Sequence, residues 1–244
     1  DDRFQFTFLL LLLFFSFFIQ RTIKDSDMIT TSTITATTVL TIILLFPNAI
    51  LVRALNICIA GGTGNFGRIL ASKLDLIADE VTILSRNKFL ASSRTRVTET
   101  FGWLGELYLN QNLHVTLRDW DGGDLLDIVG SDWLGWQDDT LNKADVVINL
   151  VGGYTSQRLM ATERIVRESL KVNPNALQIT VSPKNTEELN ILSPGGATTT
   201  KWNRVEQCEN MVKLNCVRSK CFRFEANRID QSCEEIIAAI IGDN

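Results

Sequence analysis

Gly61, Gly64 and Gly67 stand three residues apart, behind the apolar run Leu55 to Ala60 and at the start of an amphipathic stretch. In the string ICIAGGTGNFG this spacing predicts a strand, a tight turn and a helix N-terminus. Such a turn presents bare backbone N–H groups to an anionic ligand, and the helix dipole adds to their attraction. Glycines let the backbone approach a pyrophosphate and let the helix pack close to the strand. The residues expected to hold that anion are Gly61, Gly62, Thr63, Gly64, Asn65, Phe66 and Gly67. A glycine pattern gains meaning only from the elements around it.

Those elements follow in order. Phe66, Ile69, Leu70, Leu74 and Ile77 fall on one face of a helix, and Val81 to Leu84 is a short β-branched strand ending in Ser85-Arg86-Asn87-Lys88. Phe101 to Leu109 reads as a helix with Trp103, Leu104 and Leu107 inward. Leu113 to Leu117 reads as a third strand and Ala144 to Val151 as a fourth, whose continuous apolar run suits a central parallel strand covered on both faces. Ser156 to Val172 is a helix with the stripe Leu159, Ile165, Val166 and Leu170, stopped by Asn173-Pro174-Asn175. Ala176 to Val181 is a fifth strand, ended by Ser182-Pro183, and a loop holding Ser193-Pro194-Gly195-Gly196 comes next. A helix from Thr200 to Leu214 carries Val205, Cys208 and Val212 on one face. Cys221 to Glu225 is a sixth strand, and Cys233 to Ile241 a closing helix with Ile236, Ile237, Ile240 and Ile241 inward. This alternation predicts an α/β fold: a doubly wound parallel sheet in a single minimal domain over residues 54–244, with ligands at the carboxyl ends of the strands.

Composition narrows the function. Of 244 residues 45% are hydrophobic and 21% charged, enough for a sizeable core. A net charge of −4 supplies no general pull toward nucleic acid. The five tryptophans, with no basic stripe beside them, read as core and surface-groove aromatics and not as a base-stacking platform. Five cysteines without a CxxC, and the single histidine His114, argue against a metal site and a disulfide framework. A reducing compartment follows, with Cys58 as a small buried hydrophobe.

Residues 1–53 are different in kind. Phe8 to Ile19 is almost wholly Leu and Phe, and a second apolar run, Val39 to Val52, is interrupted by Pro47 and Asn48. Each is shorter than the roughly 20 residues of a spanning helix. From Met28 the order is a Ser/Thr-rich, acid-free segment, an apolar core from Val39 to Phe46, then small residues near Ala49. That order resembles a targeting leader for a plastid, a mitochondrion or the secretory route. Residues 1–27 read either as a membrane anchor or as sequence upstream of the true start, so any membrane contact is expected through 1–53 only.

At the end of the second strand this kind of fold carries an acid that takes the ribose hydroxyls of NAD; here the place holds Ser85, Arg86 and Asn87. With no carboxylate to repel a 2′-phosphate and a guanidinium that can grip one, NADP(H) is expected over NAD(H). The plainer alternative is that Arg86 and Lys88 form a solvated loop.

Over residues 55–241 the chain resembles the short-chain dehydrogenase/reductase superfamily, most closely its extended or atypical branch of NAD(P)-dependent epimerase/dehydratase-like proteins. GGTGNFG matches the branch's GxxGxxG turn, with Ala60 where Thr is common. Asn149-Leu150-Val151-Gly152-Gly153 stands where the family has an Asn-x-Ala-Gly-like turn, which implies Asn149, Val151 and Gly152 at the cofactor. Trp120-Asp121 and Lys201-Trp202 are similar to one sugar-epimerase-like subgroup.

The resemblance also implies a reaction. The family uses a Tyr as general acid/base, a Lys four residues later that holds the nicotinamide ribose, and a Ser or Thr after the fifth strand that orients the substrate oxygen. Ser182 occupies the hydroxyl position and Lys201, after Thr200, the Lys position, but the residue four before Lys201 is Ala197. Neither tyrosine, Tyr108 or Tyr154, has a Lys four residues on, so the usual pair is broken. Tyr154 is the best substitute, unless it only packs against the sheet at the start of its helix; Ser182 is alternatively a strand-ending cap. Asp121 reads either as a loop carboxylate near the adenine or, preferred, as a solvated turn residue, because Asp119 to Asp124 is polar and Gly-rich.

Family members that act on nucleotide sugars carry a C-terminal substrate lobe. Here the loops at 89–112, 119–140 and 183–199, or a second copy of the chain, are expected to shape the substrate pocket. The expected function is that of an NADP(H)-binding, atypical reductase or epimerase-like enzyme acting on an unidentified small carbonyl compound. The alternative is a non-catalytic dinucleotide-binding protein that serves as a redox-responsive or assembly partner.

Overall fold

The apolar run before the glycines becomes the centre of the molecule. The computed structural model describes residues 54–97, 102–122, 135–152, 156–192 and 195–243. The expected leader or anchor at 1–53 lies outside these, as do Tyr154, Gly153 and most of the 119–140 loop. Strand β1 (Asn56–Ala60) leads through the glycine turn into helix α1 (Asn65–Leu74), then β2 (Glu80–Ser85) and the short α2 (Lys88–Ser92) and α3 (Glu106–Gln111). Next come β3 (Val115–Asp119), a π-helical turn (Gln137–Leu141), β4 (Val146–Asn149) and α4 (Ser156–Val172). Strand β5 (Leu177–Pro183), α5 (Thr186–Leu192), α6 (Thr198–Asn215), β6 (Ser219–Phe224) and α7 (Ile229–Ile241) complete the unit.

The six strands form one parallel sheet in the order β3-β2-β1-β4-β5-β6. This is the doubly wound Rossmann arrangement expected from the alternation. The strand order reverses between β1 and β4, so successive crossovers leave to opposite faces of the sheet and a crevice opens at that point. Ala60 pairs with Leu84 on one side and Asn149 on the other, so the carboxyl ends of β2, β1 and β4 finish level.

Both faces are filled. One core packs Leu70 and Leu74 of α1 and Ile236 and Ile240 of α7 on Ile57, Ile59, Ile83 and Ile148. The other packs Ala161 and Ile165 of α4 on Cys58, Ala60, Leu84 and Val147, with Trp120 and Trp136 meeting edge to face at 5.7 Å. Central strands buried on both faces read as unbroken apolar runs, and the fourth strand is one.

The differences from expectation have local causes. Leu107 is not inward but 71% exposed, because Gly105, at φ +87°, turns the chain before α3 starts at Glu106. Strand β3 begins two residues late, at Val115, and leaves Leu113 exposed: its predecessor Asn112 closes α3 through a side-chain bond to the Tyr108 carbonyl (2.7 Å). Ile77 lies beyond the end of α1 and Ile241 on the outer side of α7, both in solvent. The loop 183–199 contains α5, whose start is fixed by the Asn185 side chain accepting from the Glu188 N–H (2.9 Å).

Replacing Ile148, fully buried at the middle of the sheet, by Ala is expected to lower unfolding free energy by about 2–5 kcal/mol. Urea titration followed by circular dichroism checks this, and a loss below about 1 kcal/mol would mean that the sheet centre is loosely packed.

Candidate functional site

Gly61 carries the chain out of β1 at φ +79°, in the left-handed region that favours glycine. A Cβ there would meet the Val151 backbone at 2.7 Å, so the turns after β1 and β4 pass in direct contact. Gly67, one turn into α1, sits against the backbone of Gly62, where a side chain would collide with the carbonyl. Gly62 faces inward toward Ile59 and Ile83. Gly64 differs from these: at φ −78° it caps α1, and nothing lies within 4 Å of its Cβ position. The Gly64 carbonyl takes the Arg68 N–H (2.9 Å), which leaves the N–H groups of the first helical turn facing outward, as at any helix start. Asn65 is exposed there, while Phe66 is half-buried against Phe224, with ring centroids 4.8 Å apart.

Across the crevice, Asn149 braces the second turn. Its Oδ1 accepts from the Val151 N–H (3.1 Å) and its Nδ2 donates to Thr162 on α4 (2.8 Å). The Leu150 N–H reaches the Ala60 carbonyl (2.8 Å), tying the end of β4 to that of β1. Asn149 therefore shapes the cradle from behind, while Val151 and Gly152 line it.

Together these turns bound a cleft of about 360 Å³ at the carboxyl ends of β1, β2 and β4. Of the residues expected at a cofactor, Gly61, Thr63, Ser85, Arg86, Val151 and Gly152 line it. Gly62, Asn65, Phe66, Gly67 and Asn149 do not line it, and Gly64 caps the adjoining helix. Gly102, Trp120, Gly122 and Gln157 also line the cleft and were not foreseen as site residues. For Gly122 the signal is present in the Trp120-Asp121-Gly122 string; it stands at φ +70°, with the Arg86 side chain lying on it (Cβ position to Arg86 Cδ 2.6 Å). Gly102 abuts Thr63 so closely that only glycine fits, and no sequence pattern marks it.

The rim around Arg86 is organised by hydrogen bonds. Trp120 N–H donates to the Ser85 carbonyl (3.1 Å), continuing the β2–β3 pairing. Asn87 caps α2 by accepting from the Leu90 N–H (2.9 Å), and Asp119 accepts from the Lys88 N–H (2.6 Å). Asp121 is not a solvated turn residue: its side chain is fully buried and forms an ion pair with Arg164 of α4 (3.4 Å).

Of the residues expected to carry catalysis, Ser182 and Lys201 do not line that cleft. Ser182, at the end of β5, is fully buried, and its Oγ lies 3.4 Å from the Arg158 guanidinium. Arg158, also buried, donates to the Val181 carbonyl (2.9 Å) and to that of Val151, and so ties the ends of β4 and β5 together. Its register puts it on the inner face with Ala161, Thr162 and Ile165, but a charged residue does not count toward an apolar stripe. Lys201 is buried at the start of α6 and donates to Asn190 of α5 (3.3 Å). Tyr154 lies outside the described residues. Tyr108 donates to the Arg68 carbonyl (2.8 Å) on the far side of α1, and burial pushes its hydroxyl pKa up. Burial likewise pushes the thiols of Cys233 to about 12 and Cys216 to about 11, which suits packing and not nucleophilic attack. Among the described residues no group of three His, Cys, Asp or Glu side chains could hold a metal, and no helix is long and apolar enough to cross a membrane.

The strand order and the position of the cleft define a doubly wound domain with a crevice at the point where strand order reverses. No protein-family model and no curated protein matches the sequence. Solved structures do: a metagenomic short-chain oxidoreductase in complex with NADP is 13% identical, with a TM-score of 0.51 over 77% of this chain and 90% of that one. A short chain dehydrogenase/reductase family protein is 13% identical at a TM-score of 0.45, each chain being 66% covered. YwfH, an NADPH dependent reductase involved in bacilysin biosynthesis, is 15% identical at 0.46, over 66% of this chain and 70% of that one. The chain thus has the fold of the short-chain dehydrogenases/reductases, while it spans about two-thirds of the length of some of them.

The two kinds of glycine make a paired prediction. Gly61→Ala, strained at positive φ and pressed on Val151, is expected to cost about 2 kcal/mol or more of stability. Gly64→Ala, at an ordinary φ with open space around it, is expected to cost about 1 kcal/mol or less, the difference between Gly and Ala as a helix N-cap. Thermal unfolding of both variants checks this, and equal losses would show that the turn is not held as described.

Proposed function

We propose that the cleft binds NADP(H), with the diphosphate on the glycine turn and the 2′-phosphate at Arg86. The observation that carries this reading is the convergence of Gly61, Thr63, Ser85, Arg86, Val151 and Gly152 on one cleft at the point where strand order reverses. The cradle fits the group. Gly61 and Gly67 bring backbone against backbone, Gly64 leaves open space where a side chain would stand, and the α1 N-terminus supplies N–H donors and the positive end of its dipole. Arg86, stretched along Gly122 at the rim, is placed to meet a 2′-phosphate with charge-assisted hydrogen bonds.

When bound, NADP(H) would supply or accept a hydride. This chain's own residues bind and orient it, the turns after β1 and β4 shielding one side of the cleft. The first reading is therefore an atypical reductase or epimerase-like oxidoreductase acting on a small carbonyl substrate. A second reading, a dinucleotide-binding protein without turnover, is favoured by one observation: Ser182 and Lys201 are both buried and engaged by Arg158 and Asn190. The leader reading of residues 1–53 adds delivery to an organelle, testable by following a fluorescent fusion with and without those residues.

Equilibrium titration of the full-length protein with NADPH and NADH, read by nucleotide fluorescence, tests the cofactor. NADPH is expected to bind more tightly, and Arg86→Ala to weaken NADPH about tenfold while NADH changes far less. Failure to bind either nucleotide at micromolar concentration would overturn the reading, and equal losses for both would remove Arg86 from it. Oxidation of NADPH in the presence of a panel of small aldehydes and ketones then separates the enzyme from the binder.

A further inference from the structure

We infer that Gly102 and the residues behind it, Trp103 to Gly105, form a strap that sets the width of the cleft at its diphosphate end, with Arg68 of α1 as the positioning residue that latches the strap in place. The inference rests on the dinucleotide reading of the cleft, and it adds a binding determinant from outside the two turns that end β1 and β4. Gly102 and Thr63 both line the cleft. A Cβ on Gly102 would stand 1.8 Å from the Thr63 Oγ1 and 2.5 Å from the Thr63 Cβ, so the Gly102 backbone lies on the Thr63 side chain. Thr63 stands in the glycine turn, immediately before Gly64, which caps α1. The strap therefore bears on the residue that leads into the helix N-terminus.

The strap is held from both sides. Toward α2, the Leu104 and Gly105 N–H groups both donate to the Ala91 carbonyl (2.8 and 3.0 Å), and the Trp103 indole N–H donates to the Ser93 carbonyl (2.8 Å). Leu104 is buried in the same core as Leu70 of α1. Toward α1, the Arg68 guanidinium lies over two rings, 5.8 Å from the centroid of Trp103 and 5.1 Å from that of Tyr108. A cation within about 6 Å of an aromatic face is attracted by the ring quadrupole, so Arg68 draws strap and helix together. Tyr108 closes the arrangement from α3, its hydroxyl donating to the Arg68 carbonyl (2.8 Å). With the strap pinned at Ala91, Ser93 and Arg68, a side chain added at Gly102 has to displace Thr63 and not the strap. Both nucleotides share the diphosphate end of the cleft, whereas Arg86, expected to tell them apart, lies on Gly122.

The test is a size exchange on the full-length protein, with NADPH and NADH affinities measured by nucleotide fluorescence for wild type, Gly102→Ala, Thr63→Gly and the double variant. Gly102→Ala is expected to weaken both nucleotides about tenfold and by the same factor. Thr63→Gly removes the atoms that the new methyl meets, so the double variant is expected to bind within about threefold of Thr63→Gly alone. Arg68→Met is expected to speed dissociation of both nucleotides about threefold, while Arg68→Lys, which keeps a cation over the rings, stays close to the wild-type rate. The inference fails if Gly102→Ala binds both nucleotides as wild type does, or if Thr63→Gly does not relieve the loss. It fails too if Arg68→Met dissociates at the wild-type rate, or if Arg68→Lys dissociates as fast as Arg68→Met, which makes Arg68 a packing residue. Should Gly102→Ala not fold, the double variant set against Thr63→Gly and the two Arg68 variants carry the test. Wild type that binds neither nucleotide overturns the cofactor reading itself; wild type that binds, with Gly102→Ala unchanged, leaves that reading standing and removes the strap.

Discussion

A constraint on which the rest of the described fold depends is the passage of one backbone over another where β1 and β4 end. Gly61 lies against Val151 with no room for a Cβ, and the Leu150 N–H reaches back to the Ala60 carbonyl. These contacts exist because β1 and β4 are adjacent parallel strands whose helices leave to opposite faces. The two turns must diverge there, and the space they open is the cleft. The braces behind it follow from the same geometry. Asn149 holds the second turn from the α4 side, and Gly67 lets α1 sit on the first.

Charge is handled at two depths around this crevice. At the rim, Arg86 lies on Gly122 and faces the cleft. Below it, Asp121, Arg164 and Glu168 form a buried chain between the end of β3 and α4. On the other side, Arg158 is buried at the ends of β4 and β5 and spends its donors on backbone carbonyls and Ser182. Burying ions is costly, and such groups persist when they fix a particular arrangement. Arg158 holds the lining turn at Val151, and Arg164 anchors Asp121, which stands between the lining residues Trp120 and Gly122.

Much of this was legible in the sequence. Periodicity placed all six strands and the exact span of α4, because those segments bury a continuous surface against the sheet. The glycine turn was legible because its chemistry is local: spacing, φ and the helix start lie within a few residues. Other features were not, because they depend on residues far apart. Gly102 is a site residue only through Thr63, and Asp121 looks solvated until Arg164 is seen beneath it. Leu107 and Leu113 are exposed because the helix starts late, at Glu106, and the strand late, at Val115, and an apolar residue near an element boundary does not show which face it takes. Ser182 and Lys201 were placed by resemblance, and their neighbours Arg158 and Asn190 carried no signal of their own.

The account stands or falls on whether the crossing of β1 and β4 is where a dinucleotide sits. Backbone hydrogen exchange of the full-length protein, with and without saturating NADPH, measures this directly. Slower exchange is predicted at residues 61–67, 85–86 and 151–152, the three segments that frame the cleft. Unchanged exchange at these segments, with protection elsewhere or nowhere, would contradict it.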